Sequence, residues 1–263
     1  MDGKTIKCVS IAEKPSCFGI EFHNKGYEFF GLNYVYIPLK VTSNNLESTI
    51  QLVRENFKGC GVSMPYKIEV IKYLDELDES AEKVGAVNTI LNNGRLKGFN
   101  TDYYGARSAL KNTLEIEGKD ILMIGAGGAA RAIGHAVKDL DGRLWITNRT
   151  EARANELAYI LRAKTIQWQE RNSFNAYLLI NATSIGFNNI NESPLLNESI
   201  SNYEAVMDIV LTSDAQKTRL IREAESKMKI VIPGRTMTIY QAAKQFYIYT
   251  EKKLPEEFLN KFI

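Results

Sequence analysis

The chain has 263 residues, which is long enough for one large domain or for two modest ones. It is 44% hydrophobic and 24% charged, the composition of an ordinary globular protein and not of a disordered one. The 33 basic and 31 acidic residues leave a formal charge of only +2, which argues against a surface built for nucleic acid or for an anionic membrane.

The cysteines, the histidines and the apolar runs further limit the class of protein that this chain can be. The three cysteines, Cys8, Cys17 and Cys60, lack metal-ligand spacing, and we expect them to be reduced. Because His23 and His135 are the only histidines, a histidine-rich metal centre is excluded, and we expect no bound metal. We also expect no secretory leader, and no run of about 18 apolar residues occurs, so the sequence predicts a cytoplasmic protein.

The N-terminal part of the chain alternates strand and helix patterns. β-Branched and aromatic residues indicate strands, apolar residues at helical spacing indicate helices, and Gly or Pro marks several ends. These signals predict strands over 6–11, 33–41 and 59–65, helices over 21–31, 44–56 and 66–77, a hairpin over 86–102, and a helix from about Tyr104. The sequence Asn-Asn-Gly supplies the turn of the predicted hairpin.

From Ile121 the pattern becomes that of a doubly wound parallel sheet. An apolar strand leads into a glycine-rich turn and a helix, and further strands are predicted over 143–148, 178–184 and 205–211. The segment from Met237 onward is helical in character. We therefore predict an α/β protein of two domains, an N-terminal α/β domain and a Rossmann-type doubly wound parallel-sheet domain.

The glycine-rich turn has the pattern of a dinucleotide-binding site. Gly125, Gly127 and Ala130 occupy the positions of G-x-G-x-x-G/A, directly after a strand and at the start of a helix. Glycines there allow a tight turn and a close approach to a pyrophosphate, which helix amides then hold. The predicted cofactor contacts are Gly125, Ala126, Gly127, Gly128 and Ala129. A turn that serves only packing is the alternative.

The end of the next strand indicates which dinucleotide is bound. An NAD site usually has an Asp or Glu at this point, but no carboxylate stands at the strand tip here. The predicted contacts are instead Asn148, Arg149, Thr150 and Arg153, and two guanidinium groups suit a 2′-phosphate. The sequence therefore predicts NADP (NADPH), although Glu151 could neutralise part of the pocket. A pair of solvated surface arginines is the alternative.

Three polar clusters end predicted strands or enter turns, namely GVSMPYK (61–67), GAVNTI (85–90) and GFNTDYYG (98–105). They resemble the patterns N-V-T-x-P-x-K, G-A-V-N-T and G-x-N-T-D-x-x-G of the shikimate dehydrogenase family, in the same order. The resemblance extends to GAGGAARA, NRT, NATSIG and a terminal YQAA, and so covers nearly the whole chain. It is closest to the divergent shikimate dehydrogenase-like subgroup.

The resemblance implies roles for residues at matching positions. Lys67 would be the general acid in ketone reduction and the base in the reverse direction, with Asp102 as its charged partner. Asn88 would hydrogen-bond the ring hydroxyls, Ser63 would stand where the family usually has Thr, and Gln241 would close over the substrate. The residues expected to contact the nicotinamide half of the cofactor are Thr183, Ser184, Ile209 and Gly234.

The function implied by the resemblance is the reversible, NADP-dependent reduction of 3-dehydroshikimate to shikimate, a step of aromatic amino acid biosynthesis. Residues 1–103 plus 236–263 would form the substrate-binding, catalytic domain and residues 104–235 the NADP-binding domain. The implied partner is a small cyclic hydroxy acid, with no nucleic acid and no membrane, and the implied state is a monomer or homodimer.

The chain departs from the family where the substrate carboxylate would bind. The pattern H-S-x-S-P-x-x-H-N supplies two serines for that anion, but Cys17 and Gly19 stand in their places. Ser16 is the nearest hydroxyl that could substitute. Leu211 replaces a family Tyr, and Thr236 replaces a Gly. Two alternatives therefore stay open: an oxidoreductase for quinate or a related cyclic hydroxy acid, and a non-catalytic NADP-binding regulator with the same fold.

Overall fold

The computed structural model describes residues 2–15, 17–212 and 216–262. Two compact units divide the chain: the first is Met1–Tyr104 with Ile239–Ile263, and the second is Gly105–Thr238. The boundaries predicted from the sequence, after residues 103 and 235, lie close to these, and the roles assigned to the two domains stay predictions.

Twelve strands and nine helices are found over the described residues. The strands are β1 (Ile6–Ala12), β2 (Tyr34–Lys40), β3 (Gly59–Val62), β4 (Glu76–Leu77), β5 (Thr89–Asn92), β6 (Leu96–Phe99), β7 (Asp120–Ile124), β8 (Arg143–Thr147), β9 (Lys164–Thr165), β10 (Leu178–Asn181), β11 (Ala205–Asp208) and β12 (Ile230–Pro233). The helices are α1 (Phe18–Phe29), α2 (Leu46–Asn56), α3 (Glu79–Val84), α4 (Thr101–Thr113), α5 (Gly128–Lys138), α6 (Glu151–Leu161), α7 (Arg219–Ser226), α8 (Gly234–Thr250) and α9 (Glu256–Leu259). Short 3-10 helices cover Ser43–Asn45, Glu69–Tyr73, Trp168–Asn172 and Glu198–Asn202.

The first unit contains a mixed sheet with the strand order β2-β1-β3-β5-β6-β4. β1 runs parallel to β2 and β3, whereas β5 is antiparallel to both β3 and β6. Alternate residues of β1 face opposite sides, so Val9 and Ile11 join the core cluster that includes α2, while Cys8 joins the cluster of Phe22 and Phe246 from α1 and α8. The sheet is thus covered by helices on both faces.

The second unit contains a fully parallel sheet with the order β12-β11-β10-β7-β8-β9. Counted from β7, this is the 3-2-1-4-5-6 order of the Rossmann fold. β7, β10 and β11 read as continuous apolar runs because central strands of such a sheet are covered on both faces. The predicted fold class is confirmed.

The hairpin predicted at Asn-Asn-Gly is also confirmed. β5 and β6 pair antiparallel, with Asn92 opposite Leu96. Gly94 in the turn has φ +87°, a left-handed conformation that favours glycine. The Gly94 N–H donates to Asn92 Oδ1 at 3.1 Å. Turn chemistry alone therefore fixes the register of this pair.

The helix predicted over 66–77 is wrong. The segment forms a 3-10 helix over Glu69–Tyr73 and then the edge strand β4, which pairs with β6. A Cβ at Gly98 of β6 would lie 2.6 Å from Leu74 and 3.1 Å from Leu77, so both leucines pack closely against that strand. Packing on the sheet therefore overrides the helical spacing.

Candidate active site and cofactor-binding loops

The loop after β3 holds Lys67 in place through its backbone and its neighbour. Tyr66 is buried, and its hydroxyl donates to the Val41 carbonyl at 2.6 Å. The Lys67 carbonyl accepts a hydrogen bond from Val87 N–H at 2.7 Å. The buried phenol and this backbone bond fix the start of the lysine side chain, which lies next to the segment that carries Asn88.

Lys67 and Asp102 form an ion pair. Lys67 Nζ lies 2.5 Å from Asp102 Oδ2, and the side chains are 30% and 18% exposed. Asp102 lies in the first turn of α4, where Asn100 accepts a hydrogen bond from Tyr103 N–H at 3.1 Å and thereby caps the helix. The pair is held by its surroundings but is still reached by solvent, as a group that exchanges a proton with a ligand requires.

Asn88 directly precedes β5, between the ends of β3 and β6. It is 4% exposed, and its backbone bonds Val62 and Phe99. Its Oδ1 accepts from Thr101 N–H at 2.7 Å and lies 3.0 Å from the hydroxyls of Thr89 and Thr101. Because a backbone N–H can only donate, the amide orientation is fixed, and Nδ2 is the Asn88 group left for a ligand.

Gln241 belongs to the same cluster, since its Nε2 donates to Thr101 Oγ1 at 3.0 Å. The structure therefore brings Lys67, Asp102, Asn88 and Gln241 together around the start of α4. Ser63 is exposed in the loop that also carries Lys67, where its N–H bonds the Ile11 carbonyl. Ser16, the predicted replacement for the missing serines, lies outside the described residues.

Four further polar residues of this site were not singled out from the sequence: His23, Thr89, Thr101 and Gln245. All four are buried. Two local signals point to them: Thr101 lies inside the N-T-D pattern, and Gln245 follows Gln241 by one helical turn. The pairing of His23 with Gln245, across 222 positions, had no such signal.

The two positions where the family has serines lie at the start of α1. Cys17 is exposed and precedes the helix, and Gly19 lies in its first turn. A Cβ on Gly19 would lie 3.5 Å from the Tyr36 ring and 3.8 Å from its hydroxyl, which is ordinary van der Waals contact. A small side chain at position 19 would therefore fit without rearrangement.

The glycine-rich turn after β7 can take a dinucleotide. Gly125 has φ +119°, and a Cβ there would lie 2.6 Å from the Ala182 carbonyl, so only glycine fits. A Cβ on Gly127 or Gly128 would meet nothing within 4 Å, which leaves open space at the start of α5. Open space before helix amides suits a pyrophosphate. The neighbouring Ala126 and Ala129 belong to the same turn.

The tip of β8 presents positive charge. Asn148 Nδ2 donates to the Thr150 carbonyl at 3.0 Å, which shapes the turn into α6. Arg149 and Arg153 are exposed on either side of the helix start. Over the described ranges, neither arginine forms an ion pair, and Glu151 forms none either. The two guanidinium groups are therefore available to a phosphate, and neither is paired with Glu151.

The loop after β10 is shaped by Asn181. Its Oδ1 accepts from the Thr183 N–H and hydroxyl at 3.1 and 2.7 Å, and its Nδ2 donates to Asp208 at 2.9 Å. Burial raises the pKa of Asp208, which also accepts from Thr218 Oγ1 at 2.6 Å. The Thr183 hydroxyl is thus engaged within its own loop, and Ser184 is the exposed hydroxyl there. The predicted contact through the Thr183 side chain stays a prediction.

Ile209 and Gly234 meet where β11 ends and α8 begins. A Cβ on Gly234 would lie 2.5 Å from the Ile209 carbonyl, so the backbones touch because position 234 is glycine. The Ile209 N–H donates to the Asn181 carbonyl at 3.2 Å. The two predicted cofactor residues and the β10 loop therefore lie together at the carboxyl edge of the parallel sheet, where ligands of such sheets bind.

Neither a metal cluster nor a membrane span is found in the part of the chain that the structure describes. No group of three or more His, Cys, Asp or Glu side chains could hold a metal ion there. None of the described helices is both long and apolar enough to cross a bilayer.

The fold and the site define a two-unit α/β protein, with a Lys-Asp pair beside polar amides in one unit and a Rossmann-type dinucleotide site in the other. A family model described as the shikimate dehydrogenase substrate binding domain matches residues 16–90. An NADP(+) shikimate dehydrogenase of Alkaliphilus oremlandii is 34% identical over 97% of this chain and 95% of its own. The chain belongs to the shikimate dehydrogenase family, as predicted.

Solved structures are similar to this chain over nearly its whole length. A structure described as a shikimate 5-dehydrogenase-like protein has a TM-score of 0.90 and 31% identity, and covers 99% of this chain and 97% of its own. The Thermus thermophilus shikimate 5-dehydrogenase, in complex with NADP(H) and shikimate, has a TM-score of 0.88 and 30% identity, with 97% of both chains covered. The narrower subgroup inferred from the sequence stays a prediction.

Proposed function

We propose that this protein is an NADP-dependent oxidoreductase that reversibly reduces 3-dehydroshikimate to shikimate. The observation that carries the proposal is the Lys67–Asp102 pair beside Asn88 and Gln241, in a chain of this family. The names of the relatives support the substrate, since the Alkaliphilus protein is an NADP(+) shikimate dehydrogenase and the Thermus structure holds shikimate.

Lys67 and Asp102 have different roles in proton transfer. Negative charge builds on the ketone oxygen as it is reduced, and the Lys67 ammonium stabilises that charge and then gives up a proton. Asp102 Oδ2, 2.5 Å from Nζ, holds the ammonium in position. In the oxidation direction the same amine takes the proton from the hydroxyl. NADPH, when bound, supplies the hydride.

Two alternatives were left open by the sequence: a different ring acid as the substrate, and a non-catalytic NADP-binding regulator. Cys17 and Gly19 change the wall expected to hold the substrate carboxylate, so a related ring acid such as quinate is the second candidate. The non-catalytic regulator is disfavoured because a protein that only binds NADP has no need of the Lys67–Asp102 pair. The cytoplasmic location and the monomeric or homodimeric state stay predictions.

Turnover with purified protein tests the proposal. We expect NADPH absorbance to appear when shikimate and NADP+ are added, and quinate in place of shikimate tests the second candidate. A protein that binds NADP+ but oxidises neither acid at saturating concentration would contradict the proposed function and support the regulator.

Restoring one family serine is expected to strengthen substrate binding. Gly19→Ser should lower the KM for shikimate by about tenfold, since a hydrogen bond to a charged group contributes about 1.5 to 3 kcal/mol. The space at Gly19 accepts an added Cβ without a clash. Initial rates at varied shikimate give the KM, and Gly19→Ala is the matched control because it adds the Cβ without the hydroxyl. An equal KM in the two variants would contradict a carboxylate site at this position.

A further inference from the structure

A buried series of hydrogen bonds connects α1, the sheet of the first unit, and α8. We call it the polar chain, and its members are His23, Gln245, Thr89, Asn88, Thr101 and Gln241. Two of its six members, Asn88 and Gln241, are the amides assigned to the substrate, whereas His23 lies at the other end and is 0% exposed. The question is what His23 and Gln245 contribute to the amides at the far end.

A backbone donor fixes the orientation of the Asn88 amide. Thr101 N–H points at Asn88 Oδ1 at 2.7 Å and can only donate. The Thr101 hydroxyl lies 3.0 Å from the same Oδ1, and when it donates there it can only accept from Gln241 Nε2. Asn88 then keeps Nδ2 for a ligand, and Gln241 keeps Oε1.

Directions are also fixed at the Gln245 end. Its Nε2 lies 2.9 Å from Thr89 Oγ1 and 3.4 Å from the Asn88 carbonyl, which can only accept. Nitrogen must therefore face these two groups, and Oε1 must face His23 Nε2 at 2.9 Å. It follows that His23 carries its proton on Nε2. The Thr89 hydroxyl, having accepted from Gln245, donates onward to Asn88 Oδ1 at 3.0 Å or to Thr101 Oγ1 at 3.1 Å.

The surroundings of His23 favour this single tautomer. Nδ1 is buried and has no hydrogen-bond partner among the described residues, so a proton there would be an unpaired donor. The ring stacks on Tyr36 at 4.3 Å between centroids, which holds its plane. Burial lowers the pKa of His23 to about 4, so the ring is neutral at any pH well above that value.

Gly61 of β3 gives the amide of Gln245 the space it occupies. A Cβ at position 61 would lie 3.2 Å from Gln245 Nε2 and 2.6 Å from the Tyr36 hydroxyl. The family pattern quoted above begins with Asn at this point, and its side chain does not fit beside this arrangement. The glycine and the polar chain therefore belong together in this protein.

We propose that His23 and Gln245 are positioning residues: the Gln245 donor makes the Thr89 hydroxyl a donor within the Asn88–Thr101 cluster. This supports the orientation in which Asn88 offers N–H donors and Gln241 offers an oxygen acceptor to the substrate. The proposal rests on the proposed function and deepens it. A ligand that suits both amides must accept a hydrogen bond at one group and donate one at another, as neighbouring ring hydroxyls do. Polyhydroxylated rings are therefore selected over ring acids without these hydroxyls.

Reversing the polarity at position 245 without changing its shape tests the proposal. In Gln245→Glu, once the buried carboxyl ionises at high pH, an oxygen acceptor replaces the amide nitrogen, so no donor faces Thr89 or the Asn88 carbonyl. We expect the KM for shikimate to rise by about tenfold, with kcat and the KM for NADP+ changed by less than about threefold. The ratio of the variant's KM to the wild-type KM should fall as the pH is lowered, because the protonated carboxyl of the Gln245→Glu variant can donate a hydrogen bond again.

Tyr249→Phe is the matched control. Position 249 lies one helical turn further along α8, and its buried hydroxyl has no hydrogen-bond partner in the described part of the chain. It should keep kcat and both KM values within about twofold of wild type. His23→Phe keeps the ring but removes the donor, and should raise the KM for shikimate by about two- to tenfold.

The His23 tautomer gives a readout that needs no activity. We expect ¹⁵N NMR of the full-length protein to find Nε2 protonated and Nδ1 bare. A proton on Nδ1, or an unchanged shikimate KM in both Gln245→Glu and His23→Phe, would overturn the proposal. If wild type fails to oxidise shikimate, the proposed function fails, and the tautomer still decides the direction of the polar chain.

Discussion

Lys67→Ala should lower kcat for shikimate oxidation by about 10²- to 10⁴-fold, the contribution expected of a positioned general acid-base group. The affinity for NADP+ should be nearly unchanged, because the predicted cofactor residues belong to the other unit. The physical reason is that alanine removes both the proton carrier and the positive charge that stabilises the developing oxyanion. Steady-state rates at saturating NADP+, with NADP+ binding measured by fluorescence, give the two quantities.

Lys72→Ala is the control for loss of a lysine near the same loop. Lys72 lies in the 3-10 helix that follows Lys67, is exposed, and pairs only loosely with Glu69 at 3.6 Å. Its removal should leave kcat within about twofold, as is usual for exposed ion pairs. A loss of less than about tenfold in Lys67→Ala would contradict the acid-base role.

The elements predicted well from the sequence are those specified by local chemistry. The hairpin follows from Asn-Asn-Gly, because few residues accept the φ of +87° found at Gly94. The Rossmann unit follows from apolar strands that alternate with helices, and from Gly125, where any Cβ would meet a carbonyl. In these cases neighbouring residues impose the conformation, so sequence spacing is enough.

The wrong prediction of a helix over residues 66–77 has the opposite cause. The residues have helical spacing, but Leu74 and Leu77 bury themselves against Gly98, which is more than twenty positions away along the chain. Spacing within the segment contains no information about a glycine in a distant strand. Tertiary packing therefore decides the outcome where local preference is weak.

The residues of the candidate site also fall into two groups, those that local patterns predicted and those that only distant contacts bring in. Lys67, Asp102, Asn88 and Gln241 were predicted because they lie in short patterns shared with the family. His23 was noticed only as part of a family pattern, since its hydrogen bond to Gln245 joins positions 222 apart. Most buried donors are hydrogen-bonded, so a partner for such a group is expected, but the sequence does not state which residue it is.

Arg149→Ala is expected to weaken NADP+ binding by about 10- to 100-fold, the range for losing charge-assisted hydrogen bonds to a phosphate. Binding of NAD+, which lacks the 2′-phosphate, should weaken by no more than about twofold. The exposed guanidinium has no ion pair among the described residues, so its loss leaves no buried charge behind. Dissociation constants of both dinucleotides, measured by titration calorimetry, test the difference.

Arg143→Ala is the matched control on the same strand. Arg143 begins β8, at the end opposite Arg149, and pairs with Asp120 through two hydrogen bonds of 2.9 and 2.7 Å. It should leave the NADP+ to NAD+ preference unchanged, whatever small effect it has on stability. Equal weakening of both dinucleotides in Arg149→Ala would mean that this arginine contacts a part they share, such as the pyrophosphate. Selection of NADP would then rest on Arg153 and the α6 amides.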